Sequence, residues 1–234
     1  MPSAAPTRFA YLGPEGTFAE AALRILVSSL GTTAGAIEGA DRPAASIAAA
    51  LDAVRAGECA AALVPLENSV EGSVPATMDG LVDGAPLVVT REVFLEVAFV
   101  LAVRPGVALA DVRTVASHPH ALAQTRGRLA ALLPDADVVP TSSTADAARR
   151  VADGEHDAAV CAAIAAERYG LTALSADLAD HPGAVTRFVL VERPGALPAP
   201  TGADKTTVTA VVPDRTGALL DLSLIHISEP TRPY

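Results

Sequence analysis

Apolar residues fall along this chain in short blocks separated by turns rich in Gly and Pro, and the blocks show two patterns. Continuous apolar runs such as Ala60–Pro65 read as buried strands, and Ala-rich stretches with apolar residues three and four apart read as helices. Phe9–Pro14 leads through a turn into a helix beginning near Thr17, and Thr114–Pro119 leads into a helix over Pro119–Leu133. Pro86–Arg91 and Glu92–Arg104 read as two further strands, and Val185–Glu192 as another, after a helix at Ala162–Tyr169. Two stretches echo each other: Val54-Arg-Ala-Gly-Glu-Cys-Ala-Ala-Ala-Leu63 and Val151-Ala-Asp-Gly-Glu-His-Asp-Ala-Ala-Val160. Each reads as the end of a helix, a Gly-Glu turn and a buried strand. Each half of the chain is therefore β-turn-α followed by α-turn-β, which builds a small parallel sheet covered by helices.

Extended crossovers between the halves predict a two-lobed α/β architecture with a cleft, and the matched strand-to-helix turns face that cleft. Such clefts are the usual ligand sites. Lobe 1 is expected at about 7–85 and 170–193, and lobe 2 at about 86–169. Pro194–Gly202 turns to Pro, Gly, Ala and Thr, which predicts a linker over 194–203.

Composition narrows the function classes. Half of the 234 residues are hydrophobic but only 3% aromatic, so the core is built mainly from Ala, Val and Leu. No apolar run reaches the length of a membrane span. Met1–Thr7 lacks the basic and apolar regions of a signal peptide, so a cytoplasmic protein is expected, with no membrane partner. The formal net charge of −10 argues against nucleic acid and requires that an anionic substrate be met by a local site. Lys205 is the only lysine, and every other fixed cation is an arginine. Cys59 and Cys161 have neither metal-ligand spacing nor a secreted context and read as buried thiols.

Four turn segments carry candidate chemistry. In Pro65–Leu81 an apolar strand stops at Glu67, Asn68 and Ser69, and a helix follows in which Ser73 can cap and Pro75 suits the first turn. Gly13-Pro-Glu-Gly-Thr-Phe18 is a tight turn with Thr17 as cap, and it is neither a Walker loop nor a dinucleotide fingerprint. Ser117-His-Pro-His120 has no carboxylate or cysteine at ligand spacing; Ser117 or His118 caps a helix with Pro119 in its first turn. In Thr186-Arg187-Phe188, alternation places Arg187 opposite its neighbours. An arginine in so apolar a strand needs a partner, either a structural carboxylate or a substrate anion. Nothing marks a nucleophile elbow.

Together, in order, spacing and wording, these segments resemble prephenate dehydratase over about residues 7–193. The resemblance implies a fold like type II periplasmic binding proteins with the active site between the lobes. It implies loss of carbon dioxide and water from prephenate to give phenylpyruvate in phenylalanine biosynthesis, with no metal, nucleotide or redox cofactor. Thr186 would donate to the departing hydroxyl and Arg187 would hold a carboxylate. Asn68, Ser69, Thr17, Thr77 and Ser117 would position the substrate. Phe188 would pack against the forming ring or simply in the core. Threonine is a poor acid, so Thr186 is read as a hydrogen-bond donor, and Glu67 becomes the acid if burial raises its pKa. One departure is Gly183, which stands where the family usually has Asn.

Asp204–Leu220 resembles the opening of the family's regulatory ACT domain, with Gly217, Ala218 and Leu219 like its phenylalanine-binding turn. The resemblance is expected to cover 204–222 only, with 223–234 a non-native tail and Lys205–Val212 an exposed strand. Loss of phenylalanine inhibition is the corresponding expectation, and homo-oligomers are expected of full-length family members. Two other functions remain open at this stage: arogenate dehydratase, and a non-catalytic sensor module on the same bilobal fold.

Overall fold

β1 (Phe9–Leu12), α1 (Phe18–Ser29), β2 (Asp41–Ala44), α2 (Ile47–Arg55) and β3 (Ala61–Asn68) form the first β-α-β-α-β unit. The structure is a computed structural model that describes residues 8–29, 41–181, 183–195, 199–206 and 212–228. A short β4 (Gly72–Ser73) folds back on β3, and α3 (Pro75–Val82) leads to β5 (Val88–Glu96). The second lobe contains β6 (Val100–Val103), β7 (Thr114–Ser117), α4 (Pro119–Gln124), α5 (Arg126–Leu132), β8 (Asp137–Pro140), α6 (Thr144–Ala152), β9 (Ala158–Cys161), α7 (Ala163–Arg168) and β10 (Thr172–Ser175). β11 (Val185–Glu192) then returns to the first sheet.

The two sheets share one plan. Their orders are β2-β1-β3-β11-β5 and β8-β7-β9-β6-β10, with three parallel strands followed by an antiparallel one in each. Each antiparallel strand is supplied by chain that has just arrived from the other lobe. This is the two-lobed fold of the type II periplasmic-binding-protein kind. Both faces of each sheet are covered, which is why the inner strands are continuous apolar runs. Leu51, Val54, Val64 and Val189 pack on one face of the first sheet, and Tyr11, Leu23, Leu63 and Phe188 on the other. In the second lobe Leu101, Val115 and Val160 fill one face, while Ala116, Ala147, Ala148 and Ala159 let helix and sheet approach closely on the other. Cys59 and Cys161 are free and buried, and burial pushes the Cys161 thiol up to about 12.

The internal echo has a structural counterpart in its hydrogen bonds. Ser46 caps α2 by accepting from the Ala49 amide, and Ser143 caps α6 by accepting from the Asp146 amide. At the other ends, Gly57 and Gly154 take φ of +76° and +84°. The next residues, Glu58 and Glu155, donate back to the carbonyls of Ala53 and Arg150, each at 2.9 Å. Both helices thus end in the same left-handed glycine cap.

Several boundaries differ from the sequence reading. β3 runs past Pro65 to Asn68 because it pairs with both β11 and β4. Ser73 lies in β4 and does not cap α3, whose capping position is Val74 with no side-chain bond. The helix expected over Pro119–Leu133 breaks at Thr125, and the Asp180 carboxylate takes the Gly127 and Arg128 amides at the start of α5. Pairing along β11 holds β5 in the first sheet, and pairing with β6 holds β10 in the second. The chain therefore crosses between lobes at 97–99 and 176–184. These crossings are joined by Val97 N–H to the Ala184 carbonyl (2.7 Å) and Leu178 N–H to the Phe99 carbonyl (2.9 Å). β2 and β8 carry too short a pattern to read as strands, being four-residue sheet edges with a proline each.

A second unit covers 198–234. In it α8 (Ala218–Ser228) starts after Gly217, whose φ is +87°. Ala218 is buried while Leu219 and Leu220 are exposed. The helix continues past Leu222, where the family resemblance ended, because no proline intervenes before Pro230. Most of the expected strand Lys205–Val212 and the end of the tail lie outside the described residues. Among the described residues no helix is long and apolar enough to cross a membrane.

Candidate active site between the lobes

The end of β3 and the start of β11, neighbours in the middle of the first sheet, meet where Asn68 pairs with Thr186. Asn68 Oδ1 accepts from the amides of Val70 (2.9 Å) and Glu71 (3.1 Å). Only the carbonyl oxygen can do this, so the orientation of the side-chain amide is fixed. Its nitrogen then donates to Thr186 Oγ1 at 2.8 Å. Thr186 Oγ1 is the acceptor in that bond, and among the described residues its own proton goes to no protein acceptor. Ser69 behaves in the same way: its Oγ accepts from Val185 N–H, and its amide donates to the Val185 carbonyl, both at 2.9 Å. Among the described residues each of these two hydroxyls therefore keeps its proton unspent. Thr186 is buried, and Ser69 is exposed.

The Gly13–Phe18 turn carries the first lobe against the second. Thr17 Oγ1 donates to the Leu12 carbonyl (3.0 Å) and receives the Glu20 amide (3.4 Å). Gly16 has φ +85°, and a Cβ there would come within 3.2 Å of the Ala165 side chain and 3.4 Å of that of Ala145, so close approach and backbone both require glycine. The Gly16 amide donates to Glu20 Oε2 at 2.6 Å. Glu20 is buried, and its carboxylate is shared by Arg24 (2.7 Å) and by Arg168 of the second lobe. Arg168 also reaches Glu15 at 2.6 Å. Phe18 meets Phe99 edge-on, with ring centroids 5.5 Å apart. Behind this junction, burial and then the Glu20 charge push the Asp41 carboxyl up to about 6. Asp41 Oδ1 is buried without a hydrogen-bond partner among the described residues.

Residues 9–196 match the family described as prephenate dehydratase, a span that holds both lobes and the Asn68–Thr186 contact. The chain belongs to the prephenate dehydratase family. The prephenate dehydratase of Mycolicibacterium vanbaalenii is 52% identical over 239 residues, covering 95% of this chain and 77% of that one. The crystal structure of prephenate dehydratase in complex with L-Phe from Arthrobacter aurescens matches with a TM-score of 0.84 and 45% identity, over 95% of this chain and 72% of that one. The structure of GqqA, described as a novel type of quorum quenching acylase, matches with a TM-score of 0.69 and 33% identity, over 82% of this chain and 66% of that one. A shared fold therefore does not decide the chemistry, and the side chains must.

The remaining residues implied by the prephenate dehydratase resemblance separate into distinct surroundings. Arg187 is on the opposite face of β11 from Thr186, and both its Nε and Nη2 lie 2.7 Å from Glu92 Oε2. Of the two kinds of partner open to it, the fold supplies a carboxylate, that of Glu92. Phe188 is buried in the core beside Leu63 and Leu23. Thr77 and Ser117 are fully buried, and their hydroxyls donate to the carbonyls of Pro65 and Val160, each at 2.5 Å. Those protons are spent on main chain. Glu67 is exposed, so the burial on which its acid role depended is missing. Gly183 takes φ +87°, in the left-handed region that Gly and Asn both tolerate, which accounts for Gly standing in place of Asn.

His118 caps α4, its Nδ1 accepting from the His120 amide at 3.3 Å. That bond needs a neutral ring, and burial followed by the nearby His120 lowers the His118 pKa accordingly. Among the described residues no group of three or more His, Cys, Asp or Glu side chains could hold a metal. Glu20 and Arg168 were missed from sequence. Thr17-Phe-Ala-Glu20 carries the capping-box spacing that would have pointed to Glu20. Arg168 has no local signal.

Proposed function

We propose that this chain removes carbon dioxide and water from prephenate to give phenylpyruvate, with Thr186 hydrogen-bonding the ring hydroxyl as it leaves. In this reaction the bond from ring carbon to carboxylate carbon breaks, its electron pair enters the ring, and the opposite carbon–oxygen bond breaks. Aromatisation drives the step. Hydroxide develops at the leaving oxygen, so a donor placed there lowers the barrier by charge stabilisation, and solvent supplies the proton that completes water. The observation that carries this reading is Asn68 donating to Thr186 Oγ1, which leaves the threonine proton for another acceptor. Ser69 supplies a second donor beside it. Arg187 holds β11 against β5 through Glu92. The L-Phe carried by the Arthrobacter aurescens protein supports phenylalanine as an effector in this family, and the Gly217–Leu219 turn is the only part of such a site we assign here, without phenylalanine inhibition of this chain.

Purified protein is incubated with prephenate, and in parallel with arogenate, without added cofactor, and the product is followed. Formation of phenylpyruvate is expected. Thr186→Ala should lower kcat by about 10²–10³ with little change in KM, and Thr186→Ser should keep much of the activity. A folded Thr186→Ala protein turning over at the parental rate removes the proposed role.

A further inference from the structure

The His-Pro-His segment and the tip of the β3–β4 hairpin meet across the cleft in a way that the reaction so far leaves unused. Glu71 lies on the hairpin of the first lobe, immediately after Ser69 and Val70. Its carboxylate reaches two side chains of α4 in the second lobe: His120 Nδ1, 2.9 Å from Oε1 and 3.0 Å from Oε2, and Gln124 Nε2, 3.1 Å from Oε1. A carboxylate only accepts, so Nδ1 of His120 carries its proton there. His120 and Gln124 are four residues apart on one helix and share a face. α4 itself is held by the His118 cap, by Pro119 in the first turn, and by the edge contact of the His118 and His120 rings at 5.1 Å. The Glu71 amide, in turn, is one of the two donors that orient Asn68 Oδ1.

We propose that Glu71, His120 and Gln124 form a clasp between the lobes and act as positioning residues, setting the Thr186 hydroxyl through Asn68 when the cleft is shut. The proposal rests on the reading of Thr186 as donor. Both bonds of the clasp join one lobe to the other, so opening the cleft breaks them together. The hairpin then loses its outer support, and the Glu71 amide is free to drift from Asn68 Oδ1. The His120 and Glu71 side chains are 65% and 44% exposed. A contact so open contributes little to global stability. Its effect falls instead on where the hairpin stands.

The experiment compares Glu71→Ala, the double variant His120→Ala with Gln124→Ala, and the triple variant, measuring kcat and KM on prephenate and the melting temperature. Glu71→Ala and the double variant should each lower kcat by about tenfold with KM and melting temperature nearly unchanged. The triple variant should be no worse than either, because one interaction is removed from two sides. Glu71→Gln keeps an acceptor oxygen and should fall between Glu71→Ala and the parent. Spin labels at Val82 and Val138, exposed positions in the two lobes, should report a longer separation in Glu71→Ala. Parental kcat in Glu71→Ala, additive losses in the triple variant, or an unchanged label separation overturns the clasp. A parent protein inert toward prephenate overturns the Thr186 reading, and the label separation then decides the clasp by itself.

Discussion

Replacing Asn68 by aspartate exchanges one NH2 group for an oxygen and leaves the rest of the side chain in place. The retained Oδ1 still accepts the amides of Val70 and Glu71, so the hairpin keeps its fold. The change falls on the other bond, 2.8 Å to Thr186 Oγ1. A carboxylate oxygen cannot donate, so the threonine turns its proton toward it, and that proton is lost to the leaving hydroxyl. Removing one preorganised donor of this kind costs about 3–4 kcal/mol in the transition state, a fall in kcat of about 10²–10³. The new charge also repels an anionic substrate, by about 2–3 kcal/mol at roughly 6–8 Å and an effective dielectric near 20, so KM should rise as well. Protonating the introduced carboxyl restores a donor toward Thr186, so the deficit relative to the parent should shrink as pH is lowered. Asn68→Ala serves as the contrast. It loses three hydrogen bonds, each worth about 0.5–1.5 kcal/mol net, and should lower the melting temperature where Asn68→Asp does not. Steady-state kinetics across pH with a thermal melt of each protein measures all of this. Parental turnover by Asn68→Asp at pH 8 would falsify the orientation argument.

Two further predictions concern stability and pH. Folding raises the Asp41 carboxyl to about 6 from its ordinary value of 3.8, so the stability it contributes is present below the unfolded pKa and lost as pH rises through the folded one. A shift of two units would be about 3 kcal/mol for a fully buried group, and partial exposure reduces it to about 1 kcal/mol. Asp41→Asn should therefore stabilise the protein by about 1 kcal/mol at pH 8 and by almost nothing near pH 4, measured by denaturant melts; equal gains at both pH values refute the charge argument. Asp180 behaves oppositely, because the Gly127 amide first, and then that of Arg128, hold its carboxyl below the usual range despite some burial. Its contribution is present above the unfolded pKa and lost as pH falls through the folded one. Asp180→Ala should cost about 1 kcal/mol at pH 7, as loss of a helix cap does, with the difference from the parent disappearing in acid.

What the sequence disclosed was its local grammar. The echoed Gly-Glu turns at Gly57 and Gly154 became matching helix ends because a helix cap is written within six residues of chain. Edges and long-range pairs are not written that way. Asp41–Ala44 and Asp137–Pro140 are strands only because a neighbour pairs with them on one side. The lobe that holds β5 is fixed by its register with β11, in which Arg187 stands opposite Phe94. That register also brings Glu92, two residues back on the same face, into reach of Arg187. The need for a partner was legible from an arginine in an apolar strand; which partner was not.

Hydroxyls show the same division more sharply. Thr17, Thr77, Ser117, Ser69 and Thr186 all stood in motif segments, and residue type alone ranks none above another. Accounting for each proton separates them. Thr17, Thr77 and Ser117 donate to the carbonyls of Leu12, Pro65 and Val160, so they hold the backbone of the turns. Ser69 and Thr186 accept from Val185 N–H and Asn68 Nδ2, so each keeps a proton to give. A leaving hydroxide needs a donor already aimed at it, and such a donor must not be satisfied inside the protein. The Asn68 side-chain amide joins Thr186 to a residue 118 positions away in sequence, and Ser69 is tied to Val185, the neighbour of Thr186. The site is therefore defined by which protons the fold leaves unspent, a quantity that no single segment of the chain contains.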